Sequence, residues 1–503
     1  MMKRVPRLTI NLLATWGDYA TGALICLILM PFVLHTLGDT TYGLWLFINS
    51  IAGYSGLLNL GFGETISRYV AAHHARNETH RMNQVVNVIG AVYLAMGAVA
   101  IAAALGLAWA APWLGDWSGA SLVEIRWVFV ILGINTAVGI VGSVFGGVLV
   151  GIQRFDLERG MIFVSGVARF YLTIFLLSQR HALLTLALIF LTVTTIENVG
   201  YVYFAFRKVP GLSFGRRYLS WPVLKECFSF SGFAFLHNVS QRVIWATDNI
   251  VIGFVLGAEA IVPYFIAARL CEFISKPVTC VGMVMMPRAG ELHAHEKTRM
   301  LQSLLTKGLG FAFLLMMGFF IGAGFFGKAV IETWVGAGYD ESHLLLLVLL
   351  GARIVSTPME VVRAVMFGMA RVRVPALLYA LEALANLGLT LVLIRPFGLM
   401  GVAWGTAVPL IAVELGLLLP YALKQLGCEP RRLLREAIAP QLLPLAALLA
   451  YSVLVSRRVT GRGWPLLFAI AAAGGAVLAV VWLAQQIVWR RWGSQEDTVP
   501  EML

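Results

Sequence analysis

The sequence predicts an all-α polytopic membrane protein with about fourteen transmembrane helices. Of its 503 residues, 59% are hydrophobic and only 13% are charged, whereas about 25% of the residues in a typical soluble domain are charged. Runs of roughly 20 apolar residues follow one another, and each is long enough to cross about 30 Å of hydrocarbon. The alternating pattern of membrane β-strands is not found in these runs, so we expect helices.

The predicted spans place both ends of the chain on one side of the membrane. They lie at residues 11–34, 42–65, 86–110, 125–150, 160–178, 183–206, 228–255, 261–286, 301–326, 342–367, 375–394, 398–422, 440–456 and 464–486. Twenty-four Lys and Arg residues then lie on the side of the termini and six on the other side. Because cytoplasmic loops carry an excess of Lys and Arg, both termini are expected in the cytoplasm. This bias accounts for most of the net charge of +12, so no nucleic-acid partner is expected.

A weak internal repeat divides the chain into two halves. The segments "LGDTTYGLW" (37–45) and "LGAEAIVPY" (256–264) both read Leu-Gly, six residues, then an aromatic residue, at an offset of 219 residues. Each follows the first span of its half, which indicates two six-helix halves related by an axis along the membrane normal. The predicted organisation is an N-terminal lobe at residues 1–206, a cytoplasmic linker at 207–227 and a C-terminal lobe at 228–426. Residues 427–503 are expected to form helices thirteen and fourteen and a cytoplasmic tail.

The fourth span carries small residues at four-residue spacing. These are Gly139, Ser143, Gly147 and Gly151. Such a stripe predicts a close contact with a neighbouring helix. A flexible gating helix is the alternative interpretation.

Ionisable side chains inside the spans are the main functional signal. A charge at the bilayer centre costs on the order of 2.5–3.5 kcal/mol, so such groups are expected to face protein or water. In the eighth span, Arg269, Glu272 and Lys276 are spaced i, i+3, i+7 and share one helix face. Asp248 of the seventh span lies at a depth similar to that of Arg269, and these two residues can pair across the hairpin.

Two further cations on this hairpin lie deeper than that pair. Arg242 and Lys276 fall at similar depth in the cytoplasmic half, which leaves one surplus positive charge if both acids of the hairpin are ionised. The seventh span also carries a polar stripe that comprises Asn238, Gln241, Arg242, Trp245, Asp248 and Asn249. Amides, an indole and a guanidinium on one face suit a wet cavity for a sugar that carries a phosphate. The alternative is a buried network that only fastens the two helices together.

Other ionisable residues have simpler interpretations. Glu64 and Arg68 are an i, i+4 pair at the cytoplasmic end of the second span, and they form either a surface pair or part of a gate. Arg363 lies near the end of its span and is expected to reach the membrane surface. His73, His74 and His80 of "AAHHARNETHR" could suggest a metal site, but their loop is short and basic and is expected to be solvated. The five cysteines have no metal-ligand spacing. No metal or other cofactor is therefore expected.

Several segments resemble one family of transporters. "PFVLHTLGDTTYGLWLFINSIAGYSGLLNLGFGETISRYVA", "GGVLVGIQRFD", "ATDNIVIGFVLGAEAIVPYFIAARL" and "MFGMARVRVPALLYALEALANLGLTLVLIRPFGLMGVAWGT" are similar to segments of the polysaccharide-biosynthesis flippases, within the multidrug/oligosaccharidyl-lipid/polysaccharide exporter superfamily. The likeness covers roughly residues 8 to 425. It implies two six-helix lobes that rock around a central cavity.

The resemblance also implies a cargo and a location. The expected cargo is an undecaprenyl-pyrophosphate-linked oligosaccharide, exported across the bacterial inner membrane for O-antigen, capsule or exopolysaccharide assembly. The other expected partners are the polysaccharide polymerase and the chain-length machinery. Substrate contacts are then expected from Arg242, Lys276, Arg269, Asn238, Gln241, Trp245 and Asn249, and coupling from Asp248, Glu272, Glu64 and Arg68.

Four other functions fit these residues less well. A multidrug-type antiporter of cations would favour an acidic, aromatic cavity, whereas this interior is basic, and the lipid II flippases fit the opening segment less well. A membrane enzyme acting on lipid-linked glycans would need a catalytic loop or domain, so we expect no enzymatic activity. A scaffold for other biosynthetic proteins would leave the charges inside the spans without a role.

Overall fold

A computed structural model describes residues 7–59, 62–115, 117, 120–178, 181–458, 461 and 463–493. All regular secondary structure in these residues is helical. Among the described residues, ten helical segments are long and apolar enough to cross a membrane. The prediction of an all-α membrane chain is therefore confirmed for the part of the chain that is described.

The described residues form two compact units, divided between Val262 and Pro263. In the first unit the helices are α1 Arg7–Gly53, α2 Phe62–Ala75, α3 Thr79–Leu114, α4 Leu122–Gly151, α5 Phe155–Leu176, α6 Ala182–Lys208 and α7 Trp221–Val255. The next helix, α8 Ile261–Ala294, carries the chain into the second unit. There it is followed by α9 Thr298–Val335, α10 Asp340–Gly368, α11 Arg373–Val413, α12 Leu419–Leu426, α13 Pro430–Leu433, α14 Leu442–Arg458 and α15 Trp464–Gly493.

Two glycines interrupt helices that otherwise run on. Gly38 inside α1 has φ 73° and Gly398 inside α11 has φ 56°. Gly38 lies between the predicted first and second spans, and Gly398 is the first residue of the predicted twelfth span. Glycine adopts positive φ without the steric cost of a Cβ, so each position permits a sharp change of chain direction.

Helix α4 packs against α2, α3 and α6 in the first unit. Its glycines meet large side chains of the neighbours at short range. A Cβ placed on Gly147 would lie 2.9 Å from Cγ2 of Ile66 in α2, and one on Gly146 would lie 3.4 Å from the ring of Tyr201 in α6. The close helix contact predicted from the four-residue spacing is confirmed.

In the second unit, α9 packs against α10 and α14, while α10 also packs against α11 and α14 against α15. Two short π-helical segments, Glu414–Leu418 and Leu434–Ile438, occur in this unit. The second of them approaches α9 closely, since a Cβ on Gly310 would lie 2.6 Å from the carbonyl oxygen of Ala437. Single π-helical turns are frequently found at functional sites.

Candidate functional site

One face of α7 carries exposed polar side chains. Asn238 and Gln241 are exposed, and Trp245 is 39% exposed. The sequence places these residues inside a membrane span. Polar side chains within a span face the interior of the protein or a water-filled cavity, because hydrocarbon offers them no hydrogen bonds. The arrangement is suited to binding a hydroxyl-rich ligand in water.

The remainder of the α7 stripe contacts the end of α1 and the 3₁₀ turn Tyr54–Asn59 that follows it. Nδ2 of Asn249 donates to Oγ of Ser50 at 3.1 Å. The guanidinium of Arg242, which is half-buried, lies beside two glycines, and a Cβ on Gly56 would be 3.1 Å from its Nη2. A side chain at Gly56 would therefore require the guanidinium to shift by a few tenths of an ångström.

Asp248 lies on the buried part of α7. It is 4% exposed and acts electrostatically, together with Arg242, on the Tyr54 hydroxyl. This hydroxyl also forms a hydrogen bond with the hydroxyl of Thr247. The cation of Arg242 and the anion of Asp248 therefore meet a common polar neighbour in the first unit. The pairing of Asp248 with Arg269 stays a prediction.

On α8, Arg269 binds an acid one turn further along its own helix. Nη1 of Arg269 lies 2.7 Å from Oε2 of Glu272, and the two side chains are 32% and 46% exposed. The guanidinium also lies 4.9 Å from the centroid of the Phe265 ring. Lys276, one further turn along, is exposed. The positions of Arg269, Glu272 and Lys276 agree with the charged helix face that their spacing predicts.

The predicted pair at the end of the second span is described only in part. Arg68 is exposed on α2. The side chain of Glu64 lies outside the described residues. A contact between them, and any role in gating, stays a prediction.

The second unit buries an ion cluster that the sequence analysis did not assemble. Arg363 is 4% exposed. Its Nη2 lies 2.8 Å from Oε1 of Glu360, and its Nη1 binds Glu414, which is 1% exposed. The guanidinium is also 5.2 Å from the centroid of the Tyr379 ring. The expectation that Arg363 reaches the membrane surface is wrong, because two carboxylates and a ring face compensate its charge inside the protein.

A polar stripe on α11 adjoins this cluster. Glu382, Asn386 and Thr390 are 2%, 1% and 1% exposed. The carboxyl of Glu382 lies within electrostatic range of Glu414 and Arg363. Both amide atoms of Asn386 and the hydroxyl of Thr390 have no hydrogen-bond partner among the described residues. The four-residue spacing of these three residues was the signal in the sequence that could have identified the stripe.

The chain belongs to the polysaccharide biosynthesis protein family, whose profile matches residues 11–293. A relative from Shigella flexneri bears the name "Putative O-antigen transporter". It is 21% identical over 416 residues, which cover 79% of this chain and 94% of the relative. The chain is thus a member of the polysaccharide biosynthesis protein family, and a relative of this chain bears the name of a transporter.

Solved structures share the fold at low sequence identity. The lipid II flippase MurJ in its inward closed conformation matches with a TM-score of 0.72 and 13% identity, covering 97% of this chain and 100% of that one. An inward-facing multidrug resistance MATE family transporter of the MOP superfamily matches with a TM-score of 0.64 and 14% identity, covering 84% and 97%. The chain therefore has the fold of MOP-superfamily flippases and transporters. Its relatives are transporters rather than enzymes.

Proposed function

We propose that this protein is a flippase that moves an undecaprenyl-pyrophosphate-linked oligosaccharide repeat unit from the cytoplasmic to the periplasmic leaflet. It works by alternating access and serves O-antigen, capsule or exopolysaccharide assembly. The observation that carries the proposal is the row of exposed amides and indole on α7, inside a predicted membrane span. Membership of the polysaccharide biosynthesis family supports the choice of a glycan as cargo.

The proposed topology has fourteen crossings in the bacterial inner membrane, with both termini in the cytoplasm. The glycine breaks at Gly38 and Gly398 support counting α1 and α11 as two crossings each. Helices α7 and α8 have 35 and 34 residues, and each exceeds the roughly 20 residues needed to cross the bilayer. The proposed lobes are residues 1–206 and 228–426, with 207–227 between them and residues 427–503 beyond.

The pyrophosphate of the cargo is bound by basic side chains of α7 and α8. In this proposal Arg242, Lys276 and Arg269 contact the phosphates. At about 4 Å and an effective dielectric constant of 20, each unit-charge contact contributes roughly 4 kcal/mol before desolvation. The sugars contact Asn238, Gln241, Trp245 and Asn249, since amides supply hydrogen bonds and an indole supplies a flat apolar face. The prenyl chain stays in the lipid.

Release of the cargo requires that these cations have other partners. The pair of Arg269 and Glu272 is about one-third to one-half exposed, and exposed ion pairs contribute only about 0–1 kcal/mol. A pyrophosphate can therefore displace Glu272 from Arg269, and Glu272 can return when the cargo leaves. Asp248, Glu64 and Arg68 are proposed to exchange partners during the same cycle.

A transport assay with matched variants tests the proposal. The wild-type chain is expected to restore surface glycan to a bacterial strain that lacks its own repeat-unit flippase. Arg242→Ala and Lys276→Ala should each reduce export at equal protein levels and cause the lipid-linked repeat unit to accumulate. Arg216→Ala, an exposed residue in the segment between α6 and α7, is the control and should export normally. Normal export by both cavity variants would overturn the assignment.

The same strains separate the alternative cargoes. Rescue of a lipid II flippase mutant without rescue of glycan export would identify lipid II as the cargo, as in the MurJ structure that shares the fold. Uptake of organic cations by proteoliposomes, without glycan export, would identify a multidrug antiporter. Either result would replace the proposed function.

A further inference from the structure

A groove lies on the surface of the first unit, between α3 and α6. Both helices pack against α4, and the groove runs along α4 with a volume of about 580 Å³. Gly97 of α3 and Ala137 of α4 form its floor, since a Cβ on Gly97 would lie 3.4 Å from that of Ala137. The walls open outward, because Leu94 and Val199 are 62% and 61% exposed. We call this surface the α3–α6 groove.

The α3–α6 groove is apolar along its length. Thr195 and Asn198 are the polar side chains among the residues that line it, and each donates its hydrogen bond within α6. Oγ1 of Thr195 donates to the carbonyl of Leu191 and Nδ2 of Asn198 to that of Thr194, both at 2.7 Å. Burial of a polar group without a hydrogen-bond partner is unfavourable, so the groove suits a hydrocarbon chain.

Three aromatic rings meet at one end of the groove. The ring of Phe145, which lines the groove, lies 6.0 Å from that of Phe206 and 5.5 Å from that of Phe214, measured between centroids. Residues 195–202 of α6 lie about 9–20 Å before the end of this helix at Lys208, at 1.5 Å per residue. The proposed topology puts that end in the cytoplasm. The groove therefore lies at the depth of the acyl chains of the cytoplasmic leaflet.

The segment after α6 is fixed against α3 by two asparagines. Nδ2 of Asn83 donates to the carbonyl of Gly211 at 2.9 Å, and Nδ2 of Asn87 donates to that of Ser213 at 2.8 Å. These bonds place Phe214 over Gly90 of α3, where a Cβ would lie 3.8 Å from the ring. The cytoplasmic end of the groove is thus a built part of the surface.

Basic side chains stand beside the rings at this end. Arg207 follows Phe206, is exposed, and donates from Nη1 to the Tyr203 hydroxyl at 2.7 Å. Arg217 is exposed too, and its Cγ would lie 3.9 Å from a Cβ on Gly215, the residue after Phe214. The sequence from 198 to 225 contains no Asp or Glu. Basic pockets on the cytoplasmic side of a membrane bind anionic headgroups.

We infer that the α3–α6 groove binds an anionic phospholipid of the cytoplasmic leaflet, with one acyl chain along α4 and the headgroup phosphate at Arg207 and Arg217. Phosphatidylglycerol has the required chemistry, because its headgroup carries a net negative charge. Phosphatidylethanolamine adds an ammonium group, which two guanidinium groups repel. The inference rests on the topology of the proposed function but not on its cargo.

Native mass spectrometry of the purified full-length protein tests the headgroup site. With phosphatidylglycerol and phosphatidylethanolamine added in equal amounts, the wild-type protein should retain several-fold more phosphatidylglycerol. Arg207→Ala and Arg217→Ala should each lower this preference about fivefold, the factor expected for one basic residue near an anionic surface. Arg371→Ala, exposed beyond α10, is the control and should keep it. Equal retention of the two lipids by the wild-type protein would overturn the inference.

Filling the groove tests the chain site. Val138→Trp fills it from α4 and Ala98→Phe from α3, since both residues line it, and each variant should lose most of the bound phosphatidylglycerol. Val123→Trp, on α4 outside the groove and 64% exposed, should bind normally. Melting temperatures measured without added lipid confirm that the variants are folded. Folded variants at both groove positions that bind as the wild type does would contradict the site.

A photoactivatable phosphatidylglycerol with a diazirine in its acyl chain locates the bound lipid. It should label peptides of α3, α4 and α6 in the wild-type protein. Displacement of this label by an equal amount of undecaprenyl phosphate would identify a prenyl lipid as the occupant and reject the phospholipid. Lipid binding as expected in a protein that exports no glycan would keep the groove site and reject the proposed cargo.

Discussion

Arg363 and Glu360 lie one helical turn apart on α10, and their side chains meet at 2.8 Å from Nη2 to Oε1 in a position where the arginine is 4% exposed. Glu414, from a segment 51 residues further along the chain, binds the same guanidinium. The cluster thus ties α10 to the π-helical segment Glu414–Leu418 that follows α11. The second unit therefore contains a buried arginine whose positive charge is compensated by two carboxylates.

Removal of the arginine should destabilise the second unit. Arg363→Ala leaves the buried carboxylate of Glu414 and the partly exposed carboxylate of Glu360 without their cation. Breaking the buried pair of Arg363 and Glu414 in this way costs about 3–5 kcal/mol. The expected result is a lower melting temperature of the purified protein in detergent. Arg371→Ala, at an exposed position beyond α10, is the control. The double variant Arg363→Met with Glu414→Gln should recover part of the loss, and a single variant as stable as wild type would contradict the role given to the cluster.

Replacement of Asn386, unlike that of Arg363, is not expected to lower the stability of the protein. Its amide has no hydrogen-bond partner among the described residues and is 1% exposed, and an unsatisfied buried polar group costs about 1–3 kcal/mol. Asn386→Leu has similar volume and removes that cost, so the melting temperature should hold or rise. Asn198→Leu is the comparison, because Asn198 does donate a hydrogen bond to the carbonyl of Thr194. A large drop in stability for Asn386→Leu would mean that the amide has a partner.

The α4 glycine stripe should tolerate side chains unequally. Gly147→Leu places atoms where Cγ2 of Ile66 lies, 2.9 Å from the new Cβ, and overpacking of this kind costs typically 1–3 kcal/mol. Gly160→Leu on α5 has nothing within 4 Å of its Cβ and should fold normally. Expression level and thermal unfolding measure the difference. Equal behaviour of the two variants would contradict the tight packing of α4 on α2.

The thiol of Cys428, between α12 and α13, should react slowly with maleimide. Burial raises its pKa above the usual value for a thiol. Because the thiolate is the reactive form, a raised pKa means less thiolate at neutral pH, and the rate should keep rising at pH values where an ordinary thiol has already reached its plateau. Arg431→Cys, at an exposed position nearby, supplies the reference profile. Peptide mass spectrometry after timed labelling gives both curves, and superimposable curves would contradict the burial.

The sequence was sufficient for the helical membrane class because apolar runs of the required length appear directly in it. The glycine breaks lie close to the predicted span boundaries, because Gly38 falls between the first and second spans and Gly398 is the first residue of the twelfth. The partner of Arg363 could not be found in this way. Depth along a span says how far a residue lies from the surface, but it does not identify the helix on the other side, and Glu414 comes from a remote part of the chain.

The prediction for the polar stripe of α7 has the same limit. Spacing on one helix indicates which residues share a face, and it places Asn249 and Trp245 in one cavity-facing group. The structure gives them different surroundings, since Asn249 bonds Ser50 while Trp245 is 39% exposed. A helix face is wide enough to touch a neighbour along one edge and meet solvent along the other. Only the position of α1 distinguishes the two edges.

Thr40 donates a hydrogen bond to Glu259, 219 residues further along the chain, and this contact has a consequence for the origin of the fold. Since the two residues stand at matching positions of the repeat, a half-length ancestor that paired with a second copy of itself could have used this same meeting point. Fusion of the two copies into one chain would then have preserved the interface.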